Sequence, residues 1–255
     1  MPQLVDPFAI RARLEGDRPW SAFALADLEP PYSVHASWFV PDDSRHAIAL
    51  LYRAFGTPIV LCVGQSEEWS VVLREIDASL GDTRDVYAVV RPEVLPVIRG
   101  HYHAIEERPM IRMLLDQRLF RPVPSDAGQR LGRSDLNAIQ ALYGDEPPAF
   151  FLPAMLEDGL YYGIREEGRL VTIAGTHVVA RDVSVAALGN IYTRPNRRGN
   201  GLATAVTSAV ARDLVRMDVA TVVLNVREDN HPAVHVYERL GFARYCNYVE
   251  VVATR

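Results

Sequence analysis

The 255-residue sequence predicts a mixed α/β protein, and three observations carry that prediction. Apolar runs rich in β-branched residues, such as Val219 to Val226, read as strands buried on both faces. Segments such as Leu202, Val206, Val210 and Leu214 place apolar residues one turn apart on one helix face. The two kinds of segment alternate along the chain, and at 49% apolar content this length can bury a substantial core. Two domains are expected, an N-terminal α/β domain over 1–120 and a second over 121–255. The stretch Arg121-Pro122-Val123-Pro124-Ser125-Asp126 is the candidate linker, since its prolines disfavour regular structure.

In the N-terminal half, Pro58 to Val63 and Val86 to Val90 are strand-like and flank a helical segment from Trp69 to Leu80. In the second half, Ser134 is a candidate cap for a helix carrying Leu136, Ile139, Leu142 and Tyr143, which Pro147 and Pro148 stop. Leu160 to Arg165 and Leu170 to Val179 read as a hairpin around Glu166-Glu167-Gly168-Arg169, and another strand runs from Val183 to Thr193. The amphipathic helix from Leu202 follows, then the Val219 to Val226 strand. Asn230 as N-cap, Pro232 in the first turn and Gly241 at the end bound a short helix whose Ala233, Val236, Tyr237 and Leu240 share a face. A last strand is expected from Ala243 to Val252.

The segment Arg198 to Ala203, reading R-G-N-G-L-A, sits between a strand and a helix and is suited to a pyrophosphate. Gly199 and Gly201 allow positive φ and a close backbone approach. A helix start leaves amide N–H groups without intrahelical acceptors, and its dipole favours anions. From Val183 to Arg212 there is no Asp or Glu, but Arg194, Arg197, Arg198 and Arg212 are present in a chain of net charge −5. A bare tight turn would also use these glycines. The chain has neither G-x-x-x-x-G-K-[ST] nor G-x-G-x-x-G at this turn, which argues against a P-loop or a dinucleotide-binding Rossmann site. The net negative charge and the lack of a broad basic surface argue against nucleic-acid binding.

What remains is R-x-x-G-x-A at Arg198, Gly201 and Ala203, which resembles the acyl-CoA pyrophosphate loop of the GNAT N-acetyltransferase superfamily. A second segment, N-x-x-A-x-x-x-Y-x-x-x-G-F from Asn230 to Phe242, follows one helix and one strand later, as in that family. The resemblance covers about half the chain. It implies a GNAT acyltransferase fold with a central splayed mixed sheet, and acetyl-CoA (coenzyme A) as the acyl donor to an amine by direct attack in a ternary complex. It implies that backbone groups of Ile191, Tyr192 and Thr193 meet the pantetheine arm, that Arg197, Arg198, Gly199, Asn200, Gly201, Ala203 and the Thr204 hydroxyl meet the pyrophosphate, and that Asn230 positions the arm or caps its helix. Arg194 or Arg197 could instead meet a 3′-phosphate. The N-terminal half could be a degenerate acyltransferase-like half or an unrelated domain.

Acyl transfer to an amine needs a neutral nucleophile, a donor for the developing oxyanion and a proton for the departing thiolate. By resemblance a backbone N–H at Ile191 or Tyr192 serves the oxyanion, Tyr237 is the acid, and Asn225 faces the acyl site or sits satisfied in the sheet. An unperturbed Tyr at pKa ~10 donates uphill to a thiol at ~8.5, so a hydrogen bond to the thiolate is the main expected contribution. Many relatives place a Glu on the strand equivalent to Val183 to Thr193, and this strand has none. His177 is the nearest alternative base, with unperturbed pKa ~6.5, although a histidine on an apolar strand also serves structurally. Glu157 and Asp158, on an expected loop, or a water chain are further alternatives. The missing carboxylate motivates a second reading, a non-catalytic acyl-CoA-binding sensor or scaffold.

Two cysteines, Cys62 and Cys246, are too few for a disulfide framework and suit a reducing cytoplasmic setting. Met1 to Asp6 shows no basic region leading into a long apolar core, so neither a secretory signal nor a membrane span is expected. His101 and His103 lack further ligands at convincing spacing, and no metal is expected.

Overall fold

The computed structural model describes residues 4–123, 128–144, 148 and 150–255. Linker residues 124–126 and Pro147 lie outside them. The chain forms two compact units. The first comprises 1–112, 227–229 and 245–255, and the second comprises 113–226 and 230–244.

Unit one begins with helices α1 (Pro7–Leu14) and α2 (Arg18–Ala26), followed by strands β1 (Ala36–Phe39), β2 (Ile48–Tyr52) and β3 (Ile59–Val63). Helix α3 (Trp69–Ser79), strand β4 (Asp85–Val90), helix α4 (Leu95–His101) and strand β5 (His103–Leu115) complete the order, with β5 from Met113 onward in unit two. β1–β2 and β2–β3 pair antiparallel, and β3–β4 pair parallel. Trp69, Val72, Leu73 and Ile76 of α3 pack on the sheet, and Trp20 of α2 donates from Nε1 to the Cys62 carbonyl at 2.9 Å.

Unit two contains β6 (Gln129–Leu131), α5 (Leu136–Tyr143), the short α6 (Met155–Asp158), β7 (Tyr161–Glu166), β8 (Arg169–Ala180), β9 (Val185–Thr193), α7 (Leu202–Arg216), β10 (Thr221–Arg227), α8 (His231–Leu240) and β11 (Phe242–Thr254). The end of β11 belongs to unit one, where Val249 to Thr254 pair antiparallel with β4. Within unit two the strand order is β10-β9-β8-β7-β6, antiparallel except for the parallel β9–β10 pair. This is the mixed α/β architecture that the sequence predicts.

Local chemistry explains the element ends. Glu167 (φ 50) and Gly168 (φ 78) make the tight β7–β8 turn with positive φ at both central residues. Asn230 caps α8 by accepting the Ala233 N–H at 3.3 Å, and Gly241 at φ 102 ends it. Val206, Val210 and Leu214 put the apolar face of α7 fully in the core. Two differences from the sequence reading stand out. Glu157 and Asp158 lie in α6 rather than a loop, with Glu157 paired to Arg133. The first unit also holds α1, α2, β1, β2, α4 and the greater part of β5, which the sequence reading did not identify.

One repetition emerges. The order helix, helix, strand, strand, strand, helix, strand, helix, strand runs from α1 to β5 and again from α5 to β11, with the same sense of pairing through the first four strands of each run.

Candidate active site

The opening between β9 and β10 comes from the register. Parallel pairing runs from Val185–Thr221 to Leu188–Leu224 and stops, while β9 continues to Thr193 and β10 to Arg227. Past that point the inner edge of β9, from Gly189 to Thr193, has no β10 partner, so its backbone groups face a widening gap. Asn225 is the first β10 residue beyond the last pair and is half-buried. The splayed mixed sheet expected from the resemblance is present.

A bulge shapes the β9 side. Gly175 pairs with Gly189 and Ile173 with Tyr192, so Asn190 and Ile191 together oppose Ala174 alone. Asn190 adopts φ 53, left-handed backbone that is uncommon outside glycine. On the other side, Thr172 Oγ1 donates to the Tyr192 carbonyl at 2.9 Å and lies 2.7 Å from Thr193 Oγ1. These bonds hold the strand end while its inner edge stays open.

The glycine loop leads from this edge into α7. Gly199 (φ 80) and Gly201 (φ 73) are left-handed, and a Cβ on either would meet nothing within 4 Å, so glycine is there for its backbone and the space beside it is open. Gly201 is the N-cap of α7 with no side-chain cap, and no acidic residue lies in the first turn. Among the described residues the amide N–H groups of Gly199 to Thr204 have no acceptor, and neither has the Thr204 hydroxyl. Six N–H donors without acceptors at the positive end of the α7 dipole are chemically suited to an anion.

The loop's arginines are not equivalent. Arg198 Nε donates to the Thr193 carbonyl at 3.2 Å, fixing the loop to the end of β9. Asn200 Nδ2 donates to the Arg197 and Arg198 carbonyls. Arg197 pairs with Glu166 at 2.8 Å, and Arg194 donates to the carbonyls of Leu170 and Ala141. The last contact places a cation at the C-terminal end of α5, where the helix dipole welcomes it.

Tyr237, on α8, is 7% exposed, and its ring stands edge-on to Phe242 at 6.2 Å. Burial pushes its phenol well above the ordinary tyrosine range. Its hydroxyl has no partner among the described residues. A protonated donor without an acceptor is thus available on this helix. Asn230, by contrast, is exposed and occupied as the α8 cap.

His177 sits at a bulge in β8, between the Thr176–Leu188 and Val178–Ala187 pairs. A Cβ on Gly189 would come within 1.9 Å of its Nε2, and one on Gly175 within 2.1 Å of the Tyr161 ring. Since these glycines are directly paired, both rings lie over the same face of the sheet. Desolvation pushes the imidazole down to about 4, partly offset by a backbone hydrogen bond with Phe150, so it is neutral near pH 7. A base of that strength takes a proton from an ammonium group only against a large gap, which works against the reading of His177 as a strong general base.

Sequence reasoning missed the cluster on this face. Tyr143 donates to the Asn190 carbonyl at 2.9 Å, and Asn190 Nδ2 lies 2.9 Å from the Tyr161 hydroxyl, which donates to the Thr176 carbonyl at 2.8 Å. Phe151 packs tilted against Tyr143 at 5.8 Å, and Tyr192 meets it edge-on at 5.7 Å. The one available signal was Gly189-Asn190 inside an apolar run, a pattern that marks a bulge. Among the described residues no group of three or more His, Cys, Asp or Glu could hold a metal, and no helix is long and apolar enough to cross a membrane.

Comparison with known proteins gives this geometry relatives. Residues 161–251 match the family described as FR47-like protein. A mycothiol acetyltransferase of Streptomyces avermitilis is 33% identical over 118 residues, which are 45% of this chain and 33% of that protein. The chain spans about a third of the length of the curated relatives it matches. Among solved structures, a GNAT-family putative acetyltransferase of Novosphingobium aromaticivorans superposes with TM-score 0.66 at 19% identity, covering 93% of this chain and 98% of that one. A tandem GNAT protein from the clavulanic acid biosynthesis pathway gives TM-score 0.58 at 16% identity, covering 99% and 97%. The fold is that of the GNAT acetyltransferases, and residues 161–251 match the FR47-like pattern.

Proposed function

We propose that this chain transfers an acetyl group from acetyl-CoA to a primary amine by direct attack in a ternary complex. The observation that carries the reading is the junction of two features, the β9–β10 splay and the unanswered N–H cradle at the start of α7. The residues fit the donor: six amide N–H groups without acceptors, two left-handed glycines with open space beside them, and no carboxylate in the first turn of α7.

In this reading Gly199 to Thr204 hold the pyrophosphate, with Arg198 fixing the loop, and the inner edge of β9 from Ile191 to Thr193 bonds the pantetheine arm. Acetyl-CoA supplies an activated thioester. A β9 amide at Ile191 or Tyr192 meets the acyl oxygen, and Asn225 lines the gap from β10. Tyr237, held protonated by burial, donates a hydrogen bond to the departing sulfur rather than parting fully with its proton. His177 and Asn190 line the face on which the amine arrives. Relatives named mycothiol acetyltransferases put mycothiol-type acceptors among the first substrates to assay. We assign the first unit as a degenerate acyltransferase-like half, and the two free cysteines suit a cytoplasmic setting.

A second reading, a non-catalytic acyl-CoA sensor or scaffold, is favoured by the absence of any carboxylate on β9 and by the depressed imidazole of His177. Calorimetry with acetyl-CoA followed by an amine screen decides between them. Binding with turnover supports the enzyme, binding without turnover of any amine supports the sensor, and no binding removes both.

A further inference from the structure

Asn190 carries an unexplained atom. It is 7% exposed, its backbone is left-handed, and its carboxamide oxygen Oδ1 is buried with no hydrogen-bond partner among the described residues. Its orientation is fixed by the neighbours. The Tyr161 hydroxyl has one hydrogen, directed at the Thr176 carbonyl at 2.8 Å, so at 2.9 Å from Asn190 it must accept. Nδ2 therefore faces Tyr161, and turning the amide round would set two lone pairs against each other. The Tyr143 hydroxyl holds the backbone carbonyl of Asn190 at the same time. Among the described residues Oδ1 is left without a donor, on a residue just past the last β9–β10 pair. Buried acceptors are normally satisfied, and an exception calls for a partner that folding does not supply.

We propose that Asn190 Oδ1 receives an N–H of the acceptor amine and thereby selects primary amines. This rests on the acyltransferase reading above. A primary amine attacks through its lone pair and carries two hydrogens on nitrogen. As the C–N bond forms and the C–S bond breaks, one hydrogen leaves as a proton and ends on the departing sulfur, whose electron pair came from the broken bond. The other stays on nitrogen in the amide product, so its bond to Oδ1 persists throughout. A secondary amine, a hydroxyl or a thiol has one hydrogen and loses it. The thioether of Met155 lies 3.9 Å from Nδ2, a flexible side chain beside the carboxamide. Tyr143, Phe151, Tyr161 and Tyr192 give the same face an aromatic wall.

The test uses the full chain. Primary amines, benzylamine among them, are screened with acetyl-CoA by release of free thiol, and the best substrate is compared with its N-methyl derivative. Wild type is expected to favour the primary amine at least tenfold in kcat/KM. In Asn190→Leu the amine KM should rise tenfold or more and the preference collapse, while thermal stabilisation by acetyl-CoA is unchanged. Calorimetric binding of the same amine to protein saturated with coenzyme A should weaken by the same factor. Tyr161→Phe removes the partner of Nδ2 and the bond to the Thr176 carbonyl but leaves Oδ1 in place, and should keep most of the preference. If Asn190→Leu does not fold, Asn190→Asp substitutes for it, and its carboxylate should hold the amine protonated and move the pH optimum upward. Wild-type amine affinity and selectivity in Asn190→Leu, no preference in wild type, or an unmoved optimum in Asn190→Asp overturns the proposal and leaves the acyltransferase reading standing. Failure of wild type to bind acetyl-CoA or to acetylate any amine overturns both.

Discussion

The two units repeat one order of elements but enter their corresponding helices, α3 and α7, through opposite chemistry. Into α7 the chain passes Arg194, Arg197 and Arg198 and two left-handed glycines, and leaves six N–H groups without an acceptor among the described residues. Into α3 it passes Gly64-Gln65-Ser66-Glu67-Glu68, and the protein's own carboxylates fill the turn. Asp43 accepts the Glu67 N–H at 2.8 Å and the Ser66 hydroxyl at 2.6 Å, while Glu68 accepts the Asp42 and Asp43 N–H groups. The strands differ as well. On β3 only Cys62 and Val63 run past the last pair with β4, against Gly189 to Thr193 on β9. The comparison teaches that one order of elements can carry opposite loop chemistry, with amide donors left open at the entry to α7 and answered by the protein's own side chains at the entry to α3.

The sharpest way to break that comparison is to give the second unit the first unit's loop chemistry. Gly201→Asp places a carboxylate at the start of α7, and Gly201→Asn is its control, since both residues tolerate left-handed backbone and differ only in charge. Acetyl-CoA at about 100 times its Kd should stabilise wild type by about 2.7 kcal/mol. Thermal melts are expected to keep most of that in Gly201→Asn and lose it in Gly201→Asp. Equal retention in both would show that the cradle does not hold the pyrophosphate. If only one unit binds, wild-type calorimetry should also saturate at one acetyl-CoA per chain. Next in size is Tyr237→Phe, which removes a donor that α8 holds unpartnered. A fall in kcat of about 10²-fold with unchanged cofactor affinity is expected, and full activity would remove Tyr237 from the chemistry.

The units should also respond to acid with opposite signs. His177 in unit two has its folded pKa at about 4, below its unfolded value of ~6.5. The unfolded chain therefore binds more protons between these values, so this contribution is complete above about pH 6.5 and is lost as pH falls toward 4. Its size is at most about 3 kcal/mol. Asp27 in unit one is buried, and desolvation raises its carboxyl well above the usual range. There the folded state holds the proton longer, so that contribution is present at low pH and lost as pH rises past the unfolded value. Rate-corrected hydrogen exchange from pH 6.5 to 4.5 should speed up in β8 and β9 and slow in α2. The same sign in both would mean that other groups dominate.

Much of unit two could be read from the chain because its signals are local. Caps, turns and helical spacing at Asn230, Gly168, Gly241 and Val206–Leu214 act within a few residues, and the order of elements along the chain follows from them. The glycine loop was equally visible, since its backbone conformation is written in its own residues. The Asn190 network was not. Its partners Tyr143, Tyr161 and Thr176 come from three elements and meet only in the folded sheet. The strength of His177 as a base was also hidden, because desolvation by surrounding elements sets its pKa and the residue's identity does not. In unit one, short strands such as Ala36–Phe39 carry too few residues for a period to show.

The smallest predicted effect sharpens the comparison from the other side. If Asp43 stands in for a ligand at the entry to α3, Asp43→Ala should release the Glu67 N–H and the Ser66 hydroxyl that it now accepts. The bonds run both ways across the turn, because Glu68 still accepts from the backbone N–H of residue 43. The turn should therefore loosen without opening, and Tm should fall by only about 2–4 °C. The carboxylate, held below its ordinary range chiefly by the Ser66 hydroxyl, should also make wild type lose this increment in acid as Asp43 protonates, whereas Asp43→Ala has nothing there to lose. What the variant should not gain is a second acetyl-CoA site. Glu67 and Glu68 remain beside the vacated donors, no arginine lies between Gly64 and Trp69, and β3 barely extends past its last pair with β4. A calorimetric stoichiometry that rose to two in Asp43→Ala would mean that one carboxylate separates the units, and that the first half is a masked binding site rather than a degenerate one.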